Sequence, residues 1–158
     1  MYQDVNVMML IGFGFLMTFI RTNCWSALSY TFFINAVVVQ LYLLFQPFWH
    51  HAFGAQEWDD DYRVLLKEQT FTAASYSVAS ILIAYGAVLG KVGPMEMLLM
   101  GIFGVIGYTI NEDLVYGKLK VFDAGGSTAI HTFGAFFGLM VSLLLGRYAP
   151  CKKEPKMS

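Results

Sequence analysis

Five apolar segments of membrane-crossing length, separated by polar breaks, govern what this chain can fold into. They lie near residues 4–20, 26–46, 70–90, 94–116 and 123–146. Each runs to about 17–25 residues, the reach of a helix across a hydrocarbon core at about 1.5 Å per residue. In lipid a backbone must satisfy its own polar groups, so spanning structures are helices or closed barrels. Segments this long and this continuously apolar select helices. The expected fold is all-α: a polytopic membrane protein of about five transmembrane helices, one domain over residues 1–148, with a short cytoplasmic tail over 149–158.

Composition agrees. Of 158 residues, 57% are hydrophobic and 13% charged, where a soluble domain carries about 25% charged residues. The mean hydropathy is +0.56. A formal net charge of −1 with no basic stripe gives no footing for nucleic acid. Two cysteines, Cys24 and Cys151, make no disulfide framework. Cys151 beside Lys152 and Lys153 has the setting of a juxtamembrane palmitoylation site. No N-glycosylation sequon occurs. No basic residue precedes the first apolar run and no small-residue cleavage pattern follows it, so a cleaved leader is not expected.

The breaks carry the polar residues. Arg21-Thr22-Asn23 is a short turn. Pro47 to Gln69 reads as a long loop holding His50, His51, Glu57 and Asp59-Asp60-Asp61. Lys91-Val92-Gly93-Pro94 reads as a tight hairpin ending in a helix-starting proline. Tyr116 to Phe122 is short and carries two lysines. With these assignments, one side collects six basic residues (Arg21, Lys91, Arg147, Lys152, Lys153, Lys156) and the other four (Arg63, Lys67, Lys118, Lys120). That bias predicts an outside N-terminus and a cytoplasmic C-terminus, in keeping with an odd number of spans.

Small residues recur within the segments: Gly134, Gly138, Ser142 and Gly146 in the fifth, Ala73, Ser77, Ser80 and Ala84 in the third, Gly101, Gly104 and Gly107 in the fourth. Such stripes let membrane helices approach closely, and packing is their expected role.

A few residues could carry chemistry. His131 lies inside the fifth segment, where an ionisable side chain is costly and faces a protein interior or a conduction path. It is either bonded to a neighbouring helix or lines a pore. Asp123 opens that segment and is an N-cap candidate, accepting from the amides of Gly125 or Gly126. The two glycines permit a non-helical pore entrance. In a regular helix His131 would sit about 12 Å deeper than Asp123, too far for a direct relay. Gly134 and Gly138 would leave space beside its ring. Asn111-Glu112-Asp113 ends the fourth segment as an acidic mouth that concentrates cations, or simply as a solvated helix end. Asp59-Asp60-Asp61 reads as solvated loop. His50 and His51 follow Pro47-Phe48-Trp49, an interfacial aromatic patch. Their adjacency lacks metal-ligand spacing. No nucleophile elbow, phosphate loop or zinc motif occurs. Nothing argues for an enzyme, a cofactor or a metal.

Three stretches carry a resemblance: Tyr2-Gln-Asp-Val-Asn-Val-Met-Met-Leu-Ile-Gly-Phe-Gly-Phe-Leu-Met-Thr-Phe19, Ala84-Tyr-Gly-Ala-Val-Leu-Gly-Lys91 and Asp123-Ala-Gly-Gly-Ser-Thr-Ala-Ile-His-Thr-Phe-Gly-Ala-Phe-Phe-Gly-Leu139. They resemble the Rh glycoproteins of the ammonium transporter superfamily over almost the whole chain. The resemblance implies passage of ammonia or ammonium, with carbon dioxide a further candidate, through one pore per subunit of a homotrimer in the plasma membrane. It implies that Asp123 is the aspartate at the pore entrance, that His131 is the first of a pair of pore histidines, and that Glu112 is the acidic residue of the outer vestibule. Counting back from Lys91, Tyr76 stands where the family usually has a phenylalanine gate. The added hydroxyl implies a wetter constriction. The family has about eleven or twelve spans in two inverted five-helix repeats, with an extra first helix in Rh proteins. This chain resembles one such repeat, without the extra helix or the second histidine. The expectation is therefore an Rh-type channel or part of one. The alternative is a truncated, non-conducting membrane protein that associates with full-length Rh subunits.

Overall fold

The computed structural model describes residues 1–18, 24–52 and 66–148. It is all-α, with no strand among the described residues. Five α-helices follow in order: α1 Tyr2–Met17, α2 Cys24–Ala52, α3 Glu68–Val88, α4 Pro94–Glu112 and α5 Phe133–Tyr148. Between α4 and α5 lie two π-helical turns, Asp113–Lys118 and Ser127–Thr132. Residues 19–23, 53–65 and 149–158 lie outside the description, and with them the Arg21 turn, Glu57, the aspartate run, Cys151 and the tail lysines.

Four helical stretches are long and apolar enough to cross a membrane: Trp25–Ala52, Glu68–Val88, Pro94–Lys118 and Ser127–Gly146. The 16 described residues of α1 reach about 24 Å, just short of a hydrocarbon core. Polar contacts between ends fix the directions. The Tyr2 amide donates to Glu68 Oε1 at 3.3 Å, so α1 and α3 start at one end. Tyr42 and His50, late in α2, meet Glu112 and Asp113 at the end of α4. Lys91, just past α3, donates to Ser142 late in α5 at 3.4 Å. The α3–α4 hairpin turns at Gly90 (φ +74°) and opens α4 with Pro94 at its first position. There the Glu96 carboxylate accepts from the Gly93 amide at 2.8 Å. So α1, α3 and α5 run one way, α2 and α4 the other.

The apolar core gathers around α3, which packs against all four other helices. Val78, Ile81, Leu82, Tyr85 and Val88 are sealed, with Val38 and Tyr42 from α2 and Met97, Val105 and Tyr108 from α4. Aromatic rings step across the bundle: Tyr42 to Tyr108 at 6.4 Å, Tyr108 to Phe133 at 5.9 Å, and Phe133 stacked on Phe137 at 5.8 Å.

The small-residue stripes do pack. A Cβ on Gly134 would lie 2.5 Å from the Ser80 carbonyl oxygen, and one on Gly138 would lie 2.8 Å from Ala84 Cα. The α3 and α5 backbones touch there because neither side interposes a side chain. The stripe stops short of Gly146, where a Cβ would meet nothing within 4 Å.

Two local expectations change. The second segment does not end near residue 46 with a loop from Pro47: α2 continues through Pro47 to Ala52, with His50 and His51 in its last turn. Proline removes one backbone donor, yet its fixed φ is helical, and a membrane helix tolerates it when neighbours satisfy the freed groups. The fifth segment does not begin as a regular helix at Asp123. Gly125 (φ +83°) and Gly126 (φ +71°) hold a left-handed turn that postpones helix to Ser127.

Candidate functional site

The left-handed glycine pair forces Asp123 to cap from outside the helix. Its Oδ2 accepts from the amides of Thr128 at 2.9 Å and Ala129 at 3.0 Å, not from Gly125 or Gly126 as expected. The Tyr116 hydroxyl adds a longer contact to Oδ2 at 3.5 Å. The Ala129 amide first, with those of Thr128 and Ser127, holds the half-buried Asp123 carboxyl below its usual pKa, because each N–H favours the anion.

The turn that follows is wound wide. The Ile130 and His131 amides both donate to Gly126 O, at 2.8 and 3.1 Å, and the Thr132 hydroxyl closes on Ser127 O at 2.8 Å. The i→i+5 spacing shifts the register of His131 relative to α5. Gly134 and Gly138 therefore face α3, while His131 is exposed. The expectation that those glycines leave space beside the His131 ring is corrected: α3 fills that space. The 12 Å offset from Asp123 is corrected as well, since the helix starts four residues before His131.

Space beside His131 comes from another direction. A cavity of 430 Å³ is lined by Met8, Met9, Gly12, Phe13 and Leu16 of α1, Tyr76 and Ala79 of α3, and Gly125, Ile130 and His131. Met8, Leu16 and His131 are exposed at its open side. The cavity is mainly apolar, with a phenol and an imidazole as its ionisable groups.

Glu112 stands apart. Its Oε2 accepts from the Tyr42 hydroxyl at 2.7 Å, between α4 and α2, and it does not line the cavity. Asp113 is buried, with Oδ1 3.1 Å from His50 Nδ1. Asn111 donates from Nδ2 to Ala129 O at 3.2 Å. The Asn111-Glu112-Asp113 run is therefore neither a bare acidic mouth nor a solvated end: Glu112 and Asp113 tie the end of α4 to α2, and Asn111 ties it to the second π-turn. Of the four residues singled out by sequence, Tyr76 and His131 share the cavity, Asp123 holds the turn carrying His131, and Glu112 sits at the same end of the bundle on another contact.

The α1 contribution escaped sequence reasoning. Met9 and Phe13 sit four apart on one helix face, a spacing that could have paired them with the cavity. His50 belongs to α2 rather than to a loop, eight residues beyond Tyr42 on the side that meets the end of α4.

The sequence profile of the Ammonium Transporter Family matches residues 1–157. Ammonium transporter Rh type C-like 2 of Danio rerio is 44% identical over 146 residues, covering 92% of this chain and 29% of that protein. Ammonium transporter Rh type C proteins of Pongo abelii and Homo sapiens are each 42% identical over 146 residues, with the same coverage. The chain spans about 29% of the length of these relatives.

Proposed function

The chain belongs to the ammonium transporter family, on its Rh side, and from that premise we propose that it supplies one wall of a membrane path for ammonia or ammonium. The observation that carries this reading is the sharing of one cavity by Tyr76 and His131. Tyr76 forms the constriction, with a hydroxyl that can hydrogen-bond a small polar solute. His131, with one donor and one acceptor when neutral, carries the solute along the apolar wall. Asp123 fixes the entrance turn. The apolar lining favours ammonia over the hydrated ion, because burying an unpaired charge costs several kcal/mol. Carbon dioxide suits the same lining. The orientation proposed is N-terminus outside, in the plasma membrane.

The exposed His131 supports a second element of the proposal. An imidazole facing lipid is unfavourable, so the open side of the cleft is closed by full-length Rh subunits, and the chain by itself does not conduct. The test is methylammonium uptake in a transport-deficient host. The chain alone should give no uptake above background, and it should co-purify with a co-expressed Rh type C protein. Robust uptake by the purified chain alone in liposomes overturns the need for a second wall. Absence of uptake in every combination, with all proteins present in the membrane, overturns the path itself.

A further inference from the structure

The Ala129 peptide is held on both sides by residues that bracket the connection between α4 and the second π-turn. Its N–H goes to Asp123 Oδ2 at 3.0 Å, and its C=O receives Asn111 Nδ2 at 3.2 Å. Ala129 itself is fully buried, and His131 follows two residues later. A wide turn in place of a regular one has weaker claim to its own geometry, so side chains that grip its peptides decide where its side chains point. Asn111 is well placed for this. It is the last residue but one of α4 and half-buried. Its neighbour Glu112 is anchored to Tyr42, and Asp113 to His50. The amide that reaches Ala129 is thus backed by two polar anchors on α2.

We propose that Asn111 is a positioning residue for His131, acting through the Ala129 carbonyl, so that the end of α4 sets the direction of the imidazole on the cavity wall. Its importance for conduction rests on the transport reading above; the positional claim does not. An amide is suited to the task, since it donates without carrying charge into the bundle. Aspartate has the same shape but no donor, and glutamine keeps the donor on a longer arm.

The experiment uses the full chain in lipid nanodiscs with labelled histidine rings, the His131 signal being assigned by His131→Gln. Asn111→Ala and Asn111→Asp should both displace the His131 ring signal while the His51 signal stays. They should also speed exchange of the Ile130 and His131 amides about fivefold, the factor for losing one hydrogen bond of about 1 kcal/mol. Amides of α3 over 74–85 should keep their protection. Asn111→Gln should return the ring signal toward the parent position. An unmoved His131 ring and unchanged exchange in both variants overturn the proposal. So does a general loss of protection that includes α3, which marks Asn111 as a packing residue only. Neither readout involves flux: a turn displaced as expected, with no uptake in any combination with an Rh type C protein, removes the transport reading and leaves this one standing.

Discussion

Replacing Gly134 by alanine tests how tightly α5 is seated. A methyl at this position would lie 2.5 Å from the Ser80 carbonyl oxygen and 3.0 Å from Ile83 Cβ. Non-bonded carbons rest at about 3.5–4.0 Å, so α5 must retreat from α3 by roughly an ångström or bend. Overpacking costs about 1–3 kcal/mol. The obstacle here is helix backbone rather than the end of a flexible side chain, which places the cost near about 2–3 kcal/mol. Alanine returns up to about 1 kcal/mol through its helix preference, leaving a net loss of about 1–2 kcal/mol. Gly86 on α3 is the control, because a Cβ there meets nothing within 4 Å. Gly86→Ala should gain up to about 1 kcal/mol from the same preference. The pair should therefore differ by about 2–3 kcal/mol in unfolding from mixed micelles followed by circular dichroism. Equal stability of the two variants would refute the backbone-to-backbone seating and with it the packing role of the stripe.

Three further outcomes follow from particular contacts. Asp123 is anionic in the folded chain down to lower pH than in the unfolded one, since the Ala129 amide and its neighbours lower its pKa from 3.8. Its contribution is therefore complete above that ordinary value and is lost as pH falls through the lowered folded value. Asp123→Asn should flatten the stability profile below about pH 4, and an unaltered profile would remove the cap from the account. His50→Ala leaves the buried Asp113 carboxylate without its 3.1 Å partner and should cost about 1–2 kcal/mol in the same micelle assay, with Asp113→Asn recovering part of the loss in the double variant. Tyr76→Phe removes only the hydroxyl from the cavity lining. In a conducting assembly it should change methylammonium flux without changing membrane abundance, and a fall in abundance alone would mark Tyr76 as structural.

What was legible in the sequence was what depends on periodicity and length. The apolar runs announced the helices, and Pro94 announced the start of α4 after a tight connection, whose left-handed residue is Gly90, just before the Lys91-Val92-Gly93-Pro94 stretch. The small-residue stripes announced close packing, although Gly134 and Gly138 proved to serve α3 rather than His131. That error has one source: the π-turn at Ser127–Thr132 breaks the 3.6-residue count on which face assignments rest. The Gly125-Gly126 pair hinted at an irregular start, but two glycines do not reveal how many residues the following turn will take. Pro47 misled for the opposite reason. A proline inside an apolar run usually marks a boundary in a soluble chain, and a membrane helix can run through it. Partners from distant segments, such as Tyr42 with Glu112 or Asn111 with Ala129, carry no local signal and came only from the packing of α2, α4 and the turn.

The account stands most directly on His131 as part of the conducting wall. The decisive measurement is methylammonium flux through an assembled channel containing this chain, comparing His131→Ala with His51→Ala at matched membrane abundance. His131 faces the cavity with Tyr76, while His51 lies in the last turn of α2. His131→Ala should lower flux well below the parent and below His51→Ala. Equal flux for His131→Ala and the parent at matched abundance would contradict it and leave His131 a packing residue with no part in the path.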